Sequence, residues 1–109
     1  MRIFDYIIVG QGISGTVLGY ELRKSGFKVL QFDTLDPSSP SRVAAGIWHP
    51  MVFKRLTATW MASQFIPAAE EVYKEMEECT KGSFFNSMNY ARLLSGVEER
   101  NNWDLKSGE

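Results

Sequence analysis

Six residues near the start of the chain, Gly10-Gln11-Gly12-Ile13-Ser14-Gly15, have the types and spacing to hold a pyrophosphate with backbone alone. Gly10 permits a tight turn. Gly12 lets the main chain approach a phosphate with no Cβ in the way, and Gly15 lets a helix pack close to the preceding strand. A helix opening at Ile13 would aim unpaired N–H groups and the positive end of its dipole at the phosphates. Asp33 stands 23 residues after Gly10. A carboxylate there can accept both hydroxyls of an adenosine ribose. It would repel a 2′-phosphate, which argues against NADP.

The elements that must present these groups are written around them. Residues 3–9 (IFDYIIV) are an apolar, β-branched run that reads as a buried parallel strand. Ile13, Val17, Leu18 and Leu22 then recur at helical spacing, with Arg23 and Lys24 in the last turn and Gly26 just past it. That is a helix with cations at its negative end and a glycine stop. Residues 28–32 (KVLQF) read as a second strand, closed by Asp33. A strand–helix–strand unit of this kind is expected to cross over right-handed into a parallel pair. A glycine-rich turn alone is a weak signal; a strand before it, a helix after it and an acid at the right distance make it a dinucleotide site.

The pattern extends along the helix. Gly19 follows Gly15 by four positions, and Gly26 follows Gly19 by seven. Glycine inside a helix costs about 1 kcal/mol against alanine, which makes sense where the helix must lie very close to the sheet. This longer pattern resembles the FAD-binding form of the Rossmann-type fold. The stretch Arg42-Val43-Ala44-Ala45-Gly46-Ile47-Trp48-His49-Pro50 is more specific. It resembles the segment after the second strand in D-amino acid oxidases and related FAD-dependent amine oxidoreductases. In that family the stretch runs under the flavin and pyrophosphate. Ala44, Ala45 and Gly46 have almost no side chain, so their backbone can lie against a planar ring.

The resemblance is strong over residues 3–60 and weakest over residues 84–103. It implies FAD as cofactor. It also implies the cofactor-binding set Gly10, Gly12, Ile13, Ser14, Gly15, Asp33, Thr34, Arg42, Val43, Ala44, Ala45, Gly46 and Ile47. The substrate would be a small amine or amino acid. The family's catalytic side chains lie downstream of Glu109, so none is assigned here. Residues 1–80 are expected to form the FAD-binding portion, and residues 81–109 the start of a substrate domain.

Other residues have plainer readings. His49, beside Trp48 and Pro50, is read as packed or at the surface. Residues 57–80 have the pattern of a long amphipathic helix, with Met61, Phe65, Ala68, Val72, Met76 and Cys79 on one stripe. Trp60, Phe65 and Tyr73 are expected in its core, and Cys79 as a buried, inert thiol. Pro67 should kink or break this helix. Lys54-Arg55 reads as a solvated loop, so Arg42 is the better phosphate candidate. Residues 35–41 (LDPSSPS) read as turn and loop. Residues 89–95 (NYARLLS) read as a short strand. Ser95 and Glu98 have capping-box spacing for a helix through about Trp103.

The 109 residues, with 44% apolar and 23% charged, suit one small domain or part of one. A net charge of −1 recommends neither nucleic acid nor an anionic membrane as partner. One cysteine and one histidine rule out an internal disulfide, a multi-cysteine metal site and a histidine-rich one. This composition fits a cytoplasmic location. No run approaches the roughly 20 apolar residues of a membrane span. The element order gives an expected α/β fold, and the resemblance implies an incomplete Rossmann-type FAD-binding βαβ unit at the N-terminal part of a larger flavoenzyme. Such a piece would self-associate through its open edges. The alternatives are the nucleotide-binding part of an NAD-dependent dehydrogenase, and a non-catalytic remnant that binds a partner.

Overall fold

The computed structural model describes residues 1–53 and 56–107. Its elements run β1 (Tyr6–Val9), α1 (Ile13–Lys24), β2 (Val29–Phe32), α2 (Pro40–Val43), β3 (Met51–Val52), β4 (Thr57–Ala58), α3 (Ala62–Thr80) and α4 (Val97–Lys106). The chain is thus mixed helix and strand, with β1 and β2 paired in parallel and β3 and β4 antiparallel. It divides into two compact units, Met1–Trp48 and His49–Glu109.

In the first unit β1 is shorter than expected, and Asp5 is the reason. Its N–H donates to the Lys28 carbonyl at 2.8 Å, and its carboxylate accepts the Lys28 N–H at 2.7 Å. A side chain therefore opens the pairing, which then runs in register from Tyr6–Val29 to Val9–Phe32. α1 occupies the residues its periodicity predicts. It ends in a Schellman closure: the Gly26 N–H donates to the Arg23 carbonyl at 2.9 Å, and the Phe27 N–H to the Leu22 carbonyl at 3.0 Å. Phe27 then packs edge-on against Tyr6, ring centres 5.1 Å apart.

β1 is not the fully buried strand its composition suggests. Ile8 is 8% exposed, but Ile7 and Val9 are 65% and 85% exposed. Alternate residues of a strand face opposite ways, and α1 covers only the Ile8 side. Ile7 and Val9 pair in register with Leu30 and Phe32. These four lie on the face turned away from α1, with Ile7, Val9 and Phe32 exposed and Leu30 half-buried.

The second unit departs further from expectation. Residues 57–58 are a strand, not the start of a helix: β4 pairs with β3, Met51 opposite Ala58 and Val52 opposite Thr57. α3 begins five residues later than its periodicity suggests, after Met61 in a left-handed conformation at φ 53°. It runs unbroken through Pro67. Proline there forfeits only the bond to the Ser63 carbonyl, and the stripe on either side keeps its phase. No residue of α3 is buried. Trp60 is 76% exposed, Phe65 and Cys79 are exposed, and Tyr73 is half-buried. The expected core is instead a set of ring pairs, Trp60 with Phe65 at 5.7 Å and Tyr73 with Phe85 at 5.6 Å.

Residues 89–95 form no strand. A strand needs a hydrogen-bonded neighbour, and this segment is held by side chains instead. Tyr90 stacks on Phe53 at 4.8 Å, and Arg92 lies over the Phe53 ring and pairs with Glu99. His49 is packed as expected, its ring 4.4 Å from Phe53, with Nδ1 accepting the Met51 N–H at 3.1 Å. The last helix starts one residue later than the capping-box reading. Gly96 is its N-cap, and Glu99, not Glu98, reaches back to the Ser95 N–H and hydroxyl, both at 2.8 Å. Lys54 and Arg55 lie outside the described residues. Among the described residues no helix is long and apolar enough to cross a membrane.

At Gly15 the helix lies close against the turn before it. A Cβ on Gly15 would lie 2.1 Å from the Gly10 carbonyl oxygen. That atom is backbone and cannot rotate away. Gly15→Ala is therefore expected to destabilise the chain by about 1–3 kcal/mol, the usual cost of overpacking. Urea denaturation followed by circular dichroism measures this, and an unchanged midpoint would show that the turn is looser than described.

Candidate functional site

The parallel pairing of β1 and β2 brings Gly10 and Asp33 side by side, although 23 residues separate them. The ladder ends with the Gly10 N–H donating to the Phe32 carbonyl at 2.7 Å. At the next step a side chain replaces the backbone: the Gln11 N–H donates to Oδ2 of Asp33. Oδ1 of Asp33 accepts the Leu35 N–H at 2.6 Å. The N–H of Gln11, then that of Leu35 and more weakly the charge on Arg42, hold the Asp33 carboxyl below its ordinary value. An ionised carboxylate has about four acceptor positions. Two are engaged here, which leaves two for a ligand's hydroxyls.

Gly10 has φ 101°, a conformation that L side chains rarely adopt, and no atom lies within 4 Å of where its Cβ would be. The turn it makes delivers the chain to α1, whose N-cap is Gly12 and has no side-chain cap. The first N–H groups of a helix have no partner within it. That of Ile13 donates to Oγ of Ser41 at 3.0 Å. Those of Ser14 and Gly15 lie in the same first turn and have no intrahelical acceptor either. Gly12 does admit a close neighbour, and in this structure it is the Ser41 hydroxyl, 2.8 Å from where a Cβ would be.

The structure thus gathers Gly10, Gly12, Ile13, Ser14, Gly15, Asp33 and Arg42 around one end of the parallel pair. Thr34 is exposed directly after Asp33, and Val43 ends α2. Residues 44–47 follow without regular structure and are exposed, with Gly46 at φ 68°. Among the described residues neither Thr34 nor residues 45–47 hydrogen-bond to the glycine turn.

Two residues were not legible as part of the site. Ser41 sits in a stretch that reads as loop, yet it belongs to α2 and reaches Ile13. The signal was present: Ser39 is the N-cap of α2 and Pro40 its first residue, a common opening for a helix. Gln11 reads as a spacer between glycines, but its N–H is the donor that fixes Asp33.

No protein-family model matches the sequence, and no solved structure matches the chain. Among curated proteins, the chain is 35% identical over 72 residues to an uncharacterized oxidoreductase of Bacillus subtilis (strain 168), YurR. The match covers 66% of this chain and 19% of that relative, so the chain spans about a fifth of the relative's length.

The depressed pKa of Asp33 has a consequence with a definite sign. A carboxyl whose folded pKa lies below its unfolded one stabilises the fold above the unfolded value, and this is lost as pH falls through the folded value. Asp33→Asn is expected to be less stable than the parent chain above the ordinary value of 3.8. The gap should close as pH falls further below that value. Urea denaturation of both proteins over a pH series tests this, because carboxylates common to the two cancel in the difference. A gap independent of pH would detach Asp33 from the turn.

Proposed function

We propose that this chain is the cofactor-gripping part of an FAD-dependent oxidoreductase of the D-amino acid oxidase superfamily, acting on an amine or amino acid. One observation carries the reading: Asp33 accepts the Gln11 N–H, so a carboxylate stands within the glycine turn and beside the first turn of α1. That combination sets acceptors for ribose hydroxyls next to donors for phosphate. The similarity to an uncharacterized oxidoreductase supports the enzyme class.

The donor set suits a pyrophosphate. The N–H groups of Ser14 and Gly15, the hydroxyl of Ser41 and the guanidinium of Arg42 are of the right kind to hold it. Gly10 leaves open space where a Cβ would otherwise intrude. Asp33 has acceptor positions for the adenosine ribose. Residues 43–47, with the small Ala44, Ala45 and Gly46, would lie under the isoalloxazine ring. A bound flavin would supply the redox chemistry, taking up a hydride from the carbon next to the amine. No side chain here is assigned to the substrate. In this proposal residues 1–80 belong to the cofactor portion of a longer, cytoplasmic protein, and residues 81–109 lead into its substrate portion. An NAD-dependent dehydrogenase could use the same turn and carboxylate, but it gives no role to residues 43–47.

Titration of the apoprotein with FAD tests the proposal. Asp33→Ala should weaken binding about 10–100-fold, the range for hydrogen bonds to a charged group. Gly12→Val should abolish flavin retention while the fold persists. Its side chain would displace the Ser41 hydroxyl, which is the tip of a flexible side chain and can turn away. Affinity for NAD with none for FAD would favour the dehydrogenase, and affinity for neither would favour a non-catalytic role. The 109-residue chain by itself should yield no peroxide from amino acids or sarcosine above the level of free FAD.

A further inference from the structure

Gln31 occupies an unusual place. It lies on β2 between Leu30 and Phe32, and alternation turns it toward α1. That position faces the one buried residue of the helix, Gly19. A polar amide there must have both ends satisfied or it costs stability. Both ends are satisfied. Nε2 donates to the Gly15 carbonyl at 2.8 Å, and Oε1 accepts from Nη2 of Arg23 at 2.9 Å. The chemistry of the partners admits one orientation, since a carbonyl can only accept and a guanidinium can only donate.

The three helical partners are evenly spaced. Gly15, Gly19 and Arg23 follow one another at four-residue intervals, which puts them on one face of the helix. The amide lies across the middle of this row. A Cβ on Gly19 would fall 2.8 Å from Oε1, 2.9 Å from Nε2 and 3.0 Å from Cδ of Gln31. Glycine here leaves the room that the amide occupies, and an alanine would push the amide off its two partners. At the top of the same row, Gly15 presses on the Gly10 carbonyl. A bond from β2 to the Gly15 carbonyl thus acts on the residue that sets the shape of the turn.

We propose that Gln31 is the positioning residue of the glycine turn. It ties the backbone of α1 at Gly15 to β2, with Arg23 orienting its amide and Gly19 providing the space. The coupling of Gln31 to Gly19 stands on the contacts above. Its consequence for nucleotide binding rests on the cofactor reading.

A double-mutant cycle decides the coupling without any ligand. Gly19→Ala in the parent chain should lower the folding equilibrium constant. In a Gln31→Ala background the same change should raise it about fivefold, which is alanine's helical advantage over glycine. The same sign in both backgrounds would overturn the proposal. Should Gln31→Ala not fold, NMR of the parent chain decides. The Gln31 side-chain amide protons should exchange with solvent at least tenfold more slowly than those of Gln64, and equal rates would overturn it.

The isosteric Gln31→Glu variant then tests the positioning role. An ionised glutamate keeps the Arg23 pair but cannot donate to the Gly15 carbonyl, whereas a protonated one can. FAD affinity of this variant at neutral pH should fall at least tenfold below the parent and recover as the carboxyl protonates. A parent-like affinity at all pH values would overturn the positioning role. If the parent itself binds no FAD, the cofactor reading fails, while the cycle and the exchange rates still decide whether Gln31 holds the turn.

Discussion

Everything in the first unit depends on one absence, the missing Cβ of Gly15. Without it the first turn of α1 comes to rest against the Gly10 carbonyl, closer than any side chain permits. That contact sets where the helix starts, and so where its unpaired N–H groups point. It also brings α1 down onto Ile8, the one buried hydrophobic residue among those described. The same closeness recurs one turn later, where Gly19 meets Gln31. Two glycines four residues apart allow a helix to lie almost directly on a strand pair, at a cost in propensity of roughly 1 kcal/mol each.

Two aspartates clamp the parallel pair from its ends. Asp5 takes the Lys28 N–H where the ladder begins, and Asp33 takes the Gln11 N–H where it stops. The second clamp has the chemical interest. A carboxylate held ionised by backbone N–H groups needs no buried cation beside it, so it remains open to a neutral hydroxyl. The Arg42 charge on α2 adds to the same effect from further away. A site of this kind is made mostly of main chain, and its few side chains act through where the backbone has put them.

The second unit is organised differently. Its helix α3 has an apolar stripe but buries none of it, and its rings pair locally. Glu77 accepts the N–H groups of Phe84 and Phe85 at 2.6 and 2.7 Å, which turns the chain after α3 and brings Phe85 to Tyr73. Such contacts are short-range. They hold a segment in place without supplying the continuous core that the stripe would suit.

The paired strands and the long helix of the first unit were legible in the sequence because their signals are local, whereas the short α2 read as loop. The β-branched run, the helical spacing from Ile13, the basic last turn and the stop at Gly26 each act within a few residues. The spacing of Gly10, Gly12, Gly15 and Asp33 marked the site for the same reason. Burial was not legible, nor was pairing outside the strand–helix–strand unit. Composition made β1 look buried on both sides, but burial requires a second covering element, and periodicity says nothing of whether one is present. Residues 89–95 looked like a strand, but a strand exists only against a neighbour. Cys79 and Trp60 looked like core for a like reason, and both are exposed. The sequence by itself determined where the first helix begins and ends and which acid could meet the glycine turn. Only the tertiary structure decided that Gln31 lies across Gly19 and that Ser41 caps Ile13, because those contacts join residues that no local rule connects.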